Sequence, residues 1–227
     1  MTLKASGEIR GFFYGSVYFD PMFLKEKEDR RSTSLLSAES SLLLMVDLQE
    51  KFIGAVTGME DVAKRVSVLT KSAAHLQIPI VVSEQYSKGL GHTLPEILSL
   101  LPQGAPVFDK LSFSAMDVPE WTEAVRHSKR DQIVLCGVET HVCILQTALD
   151  MIQNLDAQIY VVEDAVSSRK LSDKESALHR LRAHGAQLVT TEMVVMAPDR
   201  RCAARTPRTR SGRGHNRWPD CARCRRR

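Results

Sequence analysis

Between Ser41 and about Thr191 the chain alternates short, continuously apolar runs with longer stretches whose apolar residues recur every three or four positions. The runs LLLMV (Leu42–Val46), IPIVVS (Ile78–Ser83), PVFD (Pro106–Asp109), QIVLC (Gln132–Cys136), QIYVVE (Gln158–Glu163) and AQLVTT (Ala186–Thr191) predict six strands. Met59–Leu76 puts Val62, Val66, Leu69, Ala73 and Leu76 on one helical face. Leu94–Leu101, Pro119–Ser128, about His141–Asn154, and Asp173–His184 predict four more helices. Pro79 falls at a strand start and Pro119 in a first helical turn, two places that tolerate a residue without an N–H. Strands that are apolar throughout belong to a sheet covered on both faces. Their alternation with helices predicts an α/β fold: a three-layer, doubly wound, six-stranded and mostly parallel sheet. Sites in such sheets lie beyond the carboxyl ends of the strands.

The pattern divides the 227 residues into three parts: an N-terminal extension over 1–40, the α/β domain over 41–197, and a tail over 198–227. Six of the eleven Phe and Tyr residues lie in the extension's first 23 positions, followed by the charged run KEKEDRR at Lys25–Arg31. The extension has no unbroken apolar core of a signal peptide, and Glu8 and Asp20 interrupt what would be a mitochondrial presequence. The net charge of +4 is unevenly spread. The tail holds 11 of the 31 basic residues and 2 acids, leaving 20 basic against 25 acidic residues in the rest, so the body is mildly acidic. Arg, Pro and Gly without apolar periodicity predict disorder in the tail. Nucleic acid is expected to bind there only non-specifically. Five cysteines, three of them in the tail (Cys202, Cys221, Cys224), do not make a secreted disulfide framework. The C-x-x-C at Cys221–Cys224 lacks the second ligand pair of a zinc site. No apolar run approaches membrane-spanning length. The expectation is a cytoplasmic protein with no membrane partner, a mitochondrial address being the alternative.

Three predicted strand ends carry reactive groups: Asp47 in VDLQEKF, Lys110 in DKLSFS, and Cys143 in GVETHVC. Singly, each has a bland explanation, since an Asp caps, a Lys is solvated and a buried Cys is inert filler. Together they make a nucleophile system. A cysteine near a helix N-terminus and an ammonium is expected to have a lowered pKa. A partly buried carboxylate can take the thiol proton. His141, two residues before Cys143, points away from it on a helix, and nothing in the sequence brings His92 near, so a Cys–His relay is disfavoured.

These contexts, with EQYSKGLG (Glu84–Gly91), DAVSSR (Asp164–Arg169) and TTE (Thr190–Glu192), resemble the isochorismatase-like cysteine hydrolases over about Ser41 to Ala197. EQY followed by GLG is most similar to the isochorismatase domain-containing proteins. The resemblance implies a catalytic triad of Asp47, Lys110 and Cys143, with Cys143 attacking a carbonyl carbon, Asp47 shuttling the proton, and Lys110 orienting both. It also implies a cis peptide at Val138–Glu139 and an oxyanion hole from the amides of Glu139 and Cys143. Gln49, Phe52, Tyr86, Phe113 and His141 become candidates for substrate contact.

Where metal-dependent nicotinamidases of the superfamily carry Asp-x-His after the second strand, this chain reads EQY, so no metal and no cofactor are expected. Members that cleave the vinyl ether of isochorismate lack the cysteine that is present here. Hydrolysis of a small-molecule amide or related carbonyl compound through a thioester follows, with a homo-oligomer implied by analogy. Relatives continue after TTEMVVMA with a helix packed on the sheet, and here the Arg-rich run takes its place. Two other readings are a catalytically silent protein whose basic tail binds RNA or acidic partners, and a redox protein pairing Cys143 with Cys136.

Overall fold

The computed structural model describes residues 35–198, and the expectations for residues 1–34 and 199–227 lie outside that range. Its six strands are β1 (Ser41–Val46), β2 (Ile80–Gln85), β3 (Val107–Lys110), β4 (Gln132–Val138), β5 (Gln158–Ser167) and β6 (Gln187–Val189). All are parallel, in the order β3-β2-β1-β4-β5-β6. The helices are α1 (Met59–His75), α2 (Ser87–Leu90), α3 (Pro95–Leu98), α4 (Pro119–His127), α5 (Leu145–Asn154), α6 (Leu171–Ala183) and α7 (Thr191–Met196). No helix among the described residues is long and apolar enough to cross a membrane.

Period-two alternation along each strand builds two cores. Leu43 and Met45 of β1 join Val82, Val134 and Cys136 beneath α1 (Val62, Val66, Leu69, Ala73) and Ile97 of α3. Leu42, Leu44 and Val46 face the other way, against Trp121 and Val125 of α4, Ala148 and Met151 of α5, and Leu178 and Leu181 of α6. Both faces being covered is why β1 is buried at every position. Strand order runs outward from β1 to β3, then resumes on the other side of β1 with β4. The direction therefore reverses between β1 and β4, and that crevice is where ligands of such sheets bind.

The seam is unusually close. Gly137 has φ of +124°, and a Cβ there would lie 2.0 Å from the Val46 carbonyl oxygen. Only glycine satisfies both the backbone angle and the approach. The pairing of β4 with β5 shifts register at the same level, between Leu135 and Gly137.

Several boundaries differ from the pattern-based expectation. β2 and β5 run on to Gln85 and Ser167, because polar residues at their ends break the apolar run without breaking the ladder, and β4 runs on through Gly137 to Val138. The expected helix over Leu94–Leu101 is one turn, Pro95–Leu98; Leu100 N–H and Leu101 N–H then bond three residues back to Ile97 and Leu98. Pro102 follows and bars a continuation. The last strand stops at Val189 because Thr190 caps a new helix, its Oγ1 accepting from Met193 N–H at 3.3 Å. That helix, α7, packs Val194 and Val195 against the core. Hence TEMVVM itself supplies a helix on this face.

Candidate active site

Asp47 is the first residue past β1, and the chain turns there with φ of +56°. A short polar side chain tolerates this left-handed conformation better than a branched one. Its N–H extends the ladder by one bond, to Ser83 O at 3.0 Å. The carboxylate is wholly buried. Oδ1 accepts from Ser83 Oγ at 2.9 Å and Oδ2 from Lys110 Nζ at 2.7 Å. Lys110 closes β3, two strands away, and its side chain spans the end of β2 to reach Asp47. The same ammonium meets Gln85 Oε1 at 2.6 Å and the carbonyls of Ser112 and Phe113 at 3.2 and 3.3 Å. Both charged groups of the pair are fully shielded from solvent.

Cys143 comes from the other side of the seam. It lies in a single π-helical turn, Thr140–Ile144, that leads into α5. The Val138–Glu139 peptide before it is cis. The Glu139 carbonyl accepts from Val142 N–H and Ile144 N–H at 3.1 and 3.2 Å, which folds the turn tightly. The Glu139 carboxylate accepts from Arg169 N–H at 2.9 Å and Arg169 Nε at 3.0 Å, tying the turn to the loop after β5. Cys143 is buried, and its thiol interacts with both Asp47 and Lys110.

Electrostatics here run against one expectation. Burial, reinforced by the negative charge of Asp47, pushes the Cys143 thiol up to about 12, and the Lys110 ammonium only partly offsets this. The lowered thiol pKa expected from a helix N-terminus is therefore corrected: Cys143 sits in a turn ahead of α5, and desolvation outweighs the nearby positive charge. Asp47 is also raised, by burial, against lowering contributions from Lys110, Cys143 and Ser83. At rest the proton stays on sulfur, beside a carboxylate whose affinity for it is increased.

The other candidate residues divide. Tyr86 and Phe113 are half exposed on the loops after β2 and β3. Both adjoin Lys110, through Tyr86 N–H to Lys110 O at 2.8 Å and the Phe113 carbonyl already described. His141 shares a hydrogen bond between Nδ1 and Ser168 Oγ at 3.0 Å, and its Nε2 lies 3.9 Å from Asp173. Phe52 packs on the α1 core. Gln49 is fully buried with its carboxamide committed to backbone: Nε2 donates to the Gln85 and Gly91 carbonyls and Oε1 accepts from Gln85 N–H. Ser83 and Gln85 touch the charged pair and escaped the sequence reading. Their signal was position alone, at the end of a strand beside β1.

Glu84, next to them, has its carboxylate engaged by Thr93 N–H at 2.6 Å and His92 Nδ1 at 2.9 Å. Among the described residues no group of three or more His, Cys, Asp or Glu side chains could hold a metal ion.

The family model described as the isochorismatase domain matches residues 41–193 of the chain. The chain belongs to the isochorismatase family. Isochorismatase domain-containing protein 2A of Mus musculus is 38% identical over 74% of this chain and 79% of its own length. Isochorismatase domain-containing protein 2 of Danio rerio is 39% identical over 71% and 80%. Among solved structures, a protein described as MAR1 ribonuclease from Caenorhabditis elegans superposes with a TM-score of 0.69 at 36% identity, covering 72% of this chain and 83% of that one. The six-stranded parallel sheet flanked by helices is the isochorismatase fold, and Asp47, Lys110 and Cys143 all fall inside the matched isochorismatase domain.

Proposed function

We propose that this isochorismatase-family member is a cofactor-independent cysteine hydrolase that opens a small amide, or a related carbonyl C–N bond, through a thioester on Cys143. One observation carries the reading: a buried carboxylate and ammonium, 2.7 Å apart at two strand ends, adjoin a thiol delivered by a third. Such a pair is expensive to bury, and pure packing does not require it.

In the proposed reaction Cys143 Sγ attacks the carbonyl carbon while its proton passes to Asp47. A preformed thiolate is not needed, since the raised carboxylate takes the proton as the C–S bond forms. Lys110 holds Asp47 in place and counters the charge that develops on sulfur. The amides of Glu139 and Cys143 would receive the oxyanion of the tetrahedral intermediate. Collapse breaks the C–N bond, and Asp47 returns the proton to the departing nitrogen. Water, deprotonated by Asp47, then cleaves the thioester and restores the thiol. Tyr86 and Phe113, exposed beside Lys110, are the side chains we assign to contact the substrate.

Intact-mass screening of the wild-type protein and Cys143→Ala against a library of small amides tests this. An acyl adduct on wild type, mapped to Cys143, absent from Cys143→Ala and cleared by water, is the expected result. Turnover that survives Cys143→Ala, or cleavage of RNA under the same conditions with no adduct, would overturn it.

A further inference from the structure

β1 and β2 pair in register as far as Val46 and Ser83, after which β1 turns away at Asp47. The last residue of β2, Gln85, is thereby left without a backbone partner on that edge, while its other edge still pairs with Lys110 of β3. The Gln49 carboxamide fills the gap. Its Oε1 accepts from Gln85 N–H at 2.7 Å, and its Nε2 donates to the Gln85 carbonyl at 3.0 Å and the Gly91 carbonyl at 2.6 Å. A carboxamide has the donor and acceptor of a peptide group, so one side chain can stand in for a strand.

The fixed backbone of Gln85 in turn directs its side chain. Oε1 accepts from Lys110 Nζ at 2.6 Å and Nε2 donates to the Leu111 carbonyl at 3.0 Å. With both ends engaged the amide has one orientation, oxygen toward the ammonium. The acceptor is also neutral. A carboxylate there would compete with Asp47 for Lys110 and add a second negative charge beside the thiol.

We propose that Gln49 and Gln85 are positioning residues for Lys110. Gln49 replaces the missing edge of β1 to hold Gln85, and Gln85 aims the ammonium at Asp47 and Cys143. This rests on the assignment of Asp47, Lys110 and Cys143 as the reacting groups, and it moves Gln49 from substrate contact to support.

The test is a double-mutant cycle read out on the thiol, which needs no substrate. The rate of Cys143 alkylation by iodoacetamide is followed by peptide mapping from pH 7 to 10. The proteins are wild type, Gln85→Met, Lys110→Met and the double variant, with melting temperatures recorded for each. If Gln85 acts through Lys110, Gln85→Met slows alkylation roughly 5–20-fold, displacing the rising rate–pH curve to higher pH, yet changes the rate less than about 2-fold when Lys110 is already Met. Gln49→Leu should reproduce the Gln85→Met profile. Should Gln49→Leu fail to fold, the Gln85 cycle decides alone. Equal slowing in both backgrounds would mean a merely structural role and would overturn the proposal, as would an unchanged rate in Gln85→Met. Failure of every amide to acylate Cys143 would instead sink the hydrolase reading and leave the outcome of this cycle intact.

Discussion

Replacing Lys110 with methionine removes a buried charge while keeping most of the side chain's length and volume. At 2.7 Å the Lys110–Asp47 attraction is worth about 6 kcal/mol gross at an effective dielectric of ~20. Desolvation of the two groups offsets most of that in the wild type. The variant loses the attraction and keeps the cost of a buried carboxylate, for which the usual loss is about 3–5 kcal/mol. In a domain of this size that corresponds to a fall in Tm of roughly 6–20 °C. Asp47 can lessen the loss by taking up a proton. An acid whose folded pKa lies above its unfolded value binds more protons when folded, so stability falls as pH rises across that window. Asp47 is already raised in the wild type, and losing Lys110 raises it further, so the deficit of Lys110→Met should be larger at pH 8 than at pH 5. Urea denaturation with a common m value measures it. The double variant Lys110→Met/Asp47→Asn removes both charges and should recover most of the lost stability. A single-variant loss below about 1 kcal/mol, or a double variant no more stable than the single, would refute the claim that this pair is buried and mutually dependent.

Other outcomes follow from the same geometry. The folded Cys143 thiol stands at about 12 against an ordinary 9.0, so between those values the folded state keeps a proton that the unfolded state loses, and stability drops as pH rises through 9. At pH 10 Cys143 should account for about 1.4 kcal/mol of that drop; Cys136, buried and raised in the same direction, adds to it. Comparing Tm at pH 8 and 10, Cys143→Ala should lose less than wild type, and identical losses would contradict the assigned shift. Gly137→Ala should be destabilised by more than about 3 kcal/mol and recovered mainly as insoluble protein, because its Cβ would overlap the Val46 carbonyl. A soluble Gly137→Ala protein with wild-type Tm would show that the seam can open at little cost.

Much of this was legible before any coordinates. The continuous burial of β1 and the β/α alternation follow from apolar runs such as LLLMV, since a sheet covered on both faces favours apolar residues at successive positions. Asp47, Lys110 and Cys143 were visible because each ends or follows an apolar strand. The ends of β2 and β5 were less visible: Glu84, Gln85 and Asp164 are polar, and the strands continue through them. Gln49 was a candidate for substrate contact through the family resemblance, and its sequence context gave no sign of its burial. Its burial depends on the turn at Asp47, which exposes the edge of β2 to it. The thiol pKa was misjudged because sequence shows neighbouring charges but not the loss of water around them.

The switch point also divides the proposed reacting groups between two lengths of chain. The carboxylate, the ammonium and their glutamine tether come from β1–β3, whereas the thiol and Glu139 come from the short segment after β4. The two sets meet beyond the strand ends, where Val46 pairs with Gly137. Inheritance can therefore act on them separately. A lineage that rewrites the few residues between β4 and α5 can exchange or discard the proposed nucleophile while the ion pair stays solvated by its own scaffold, so new chemistry can arise without a second solution to the problem of burying charge.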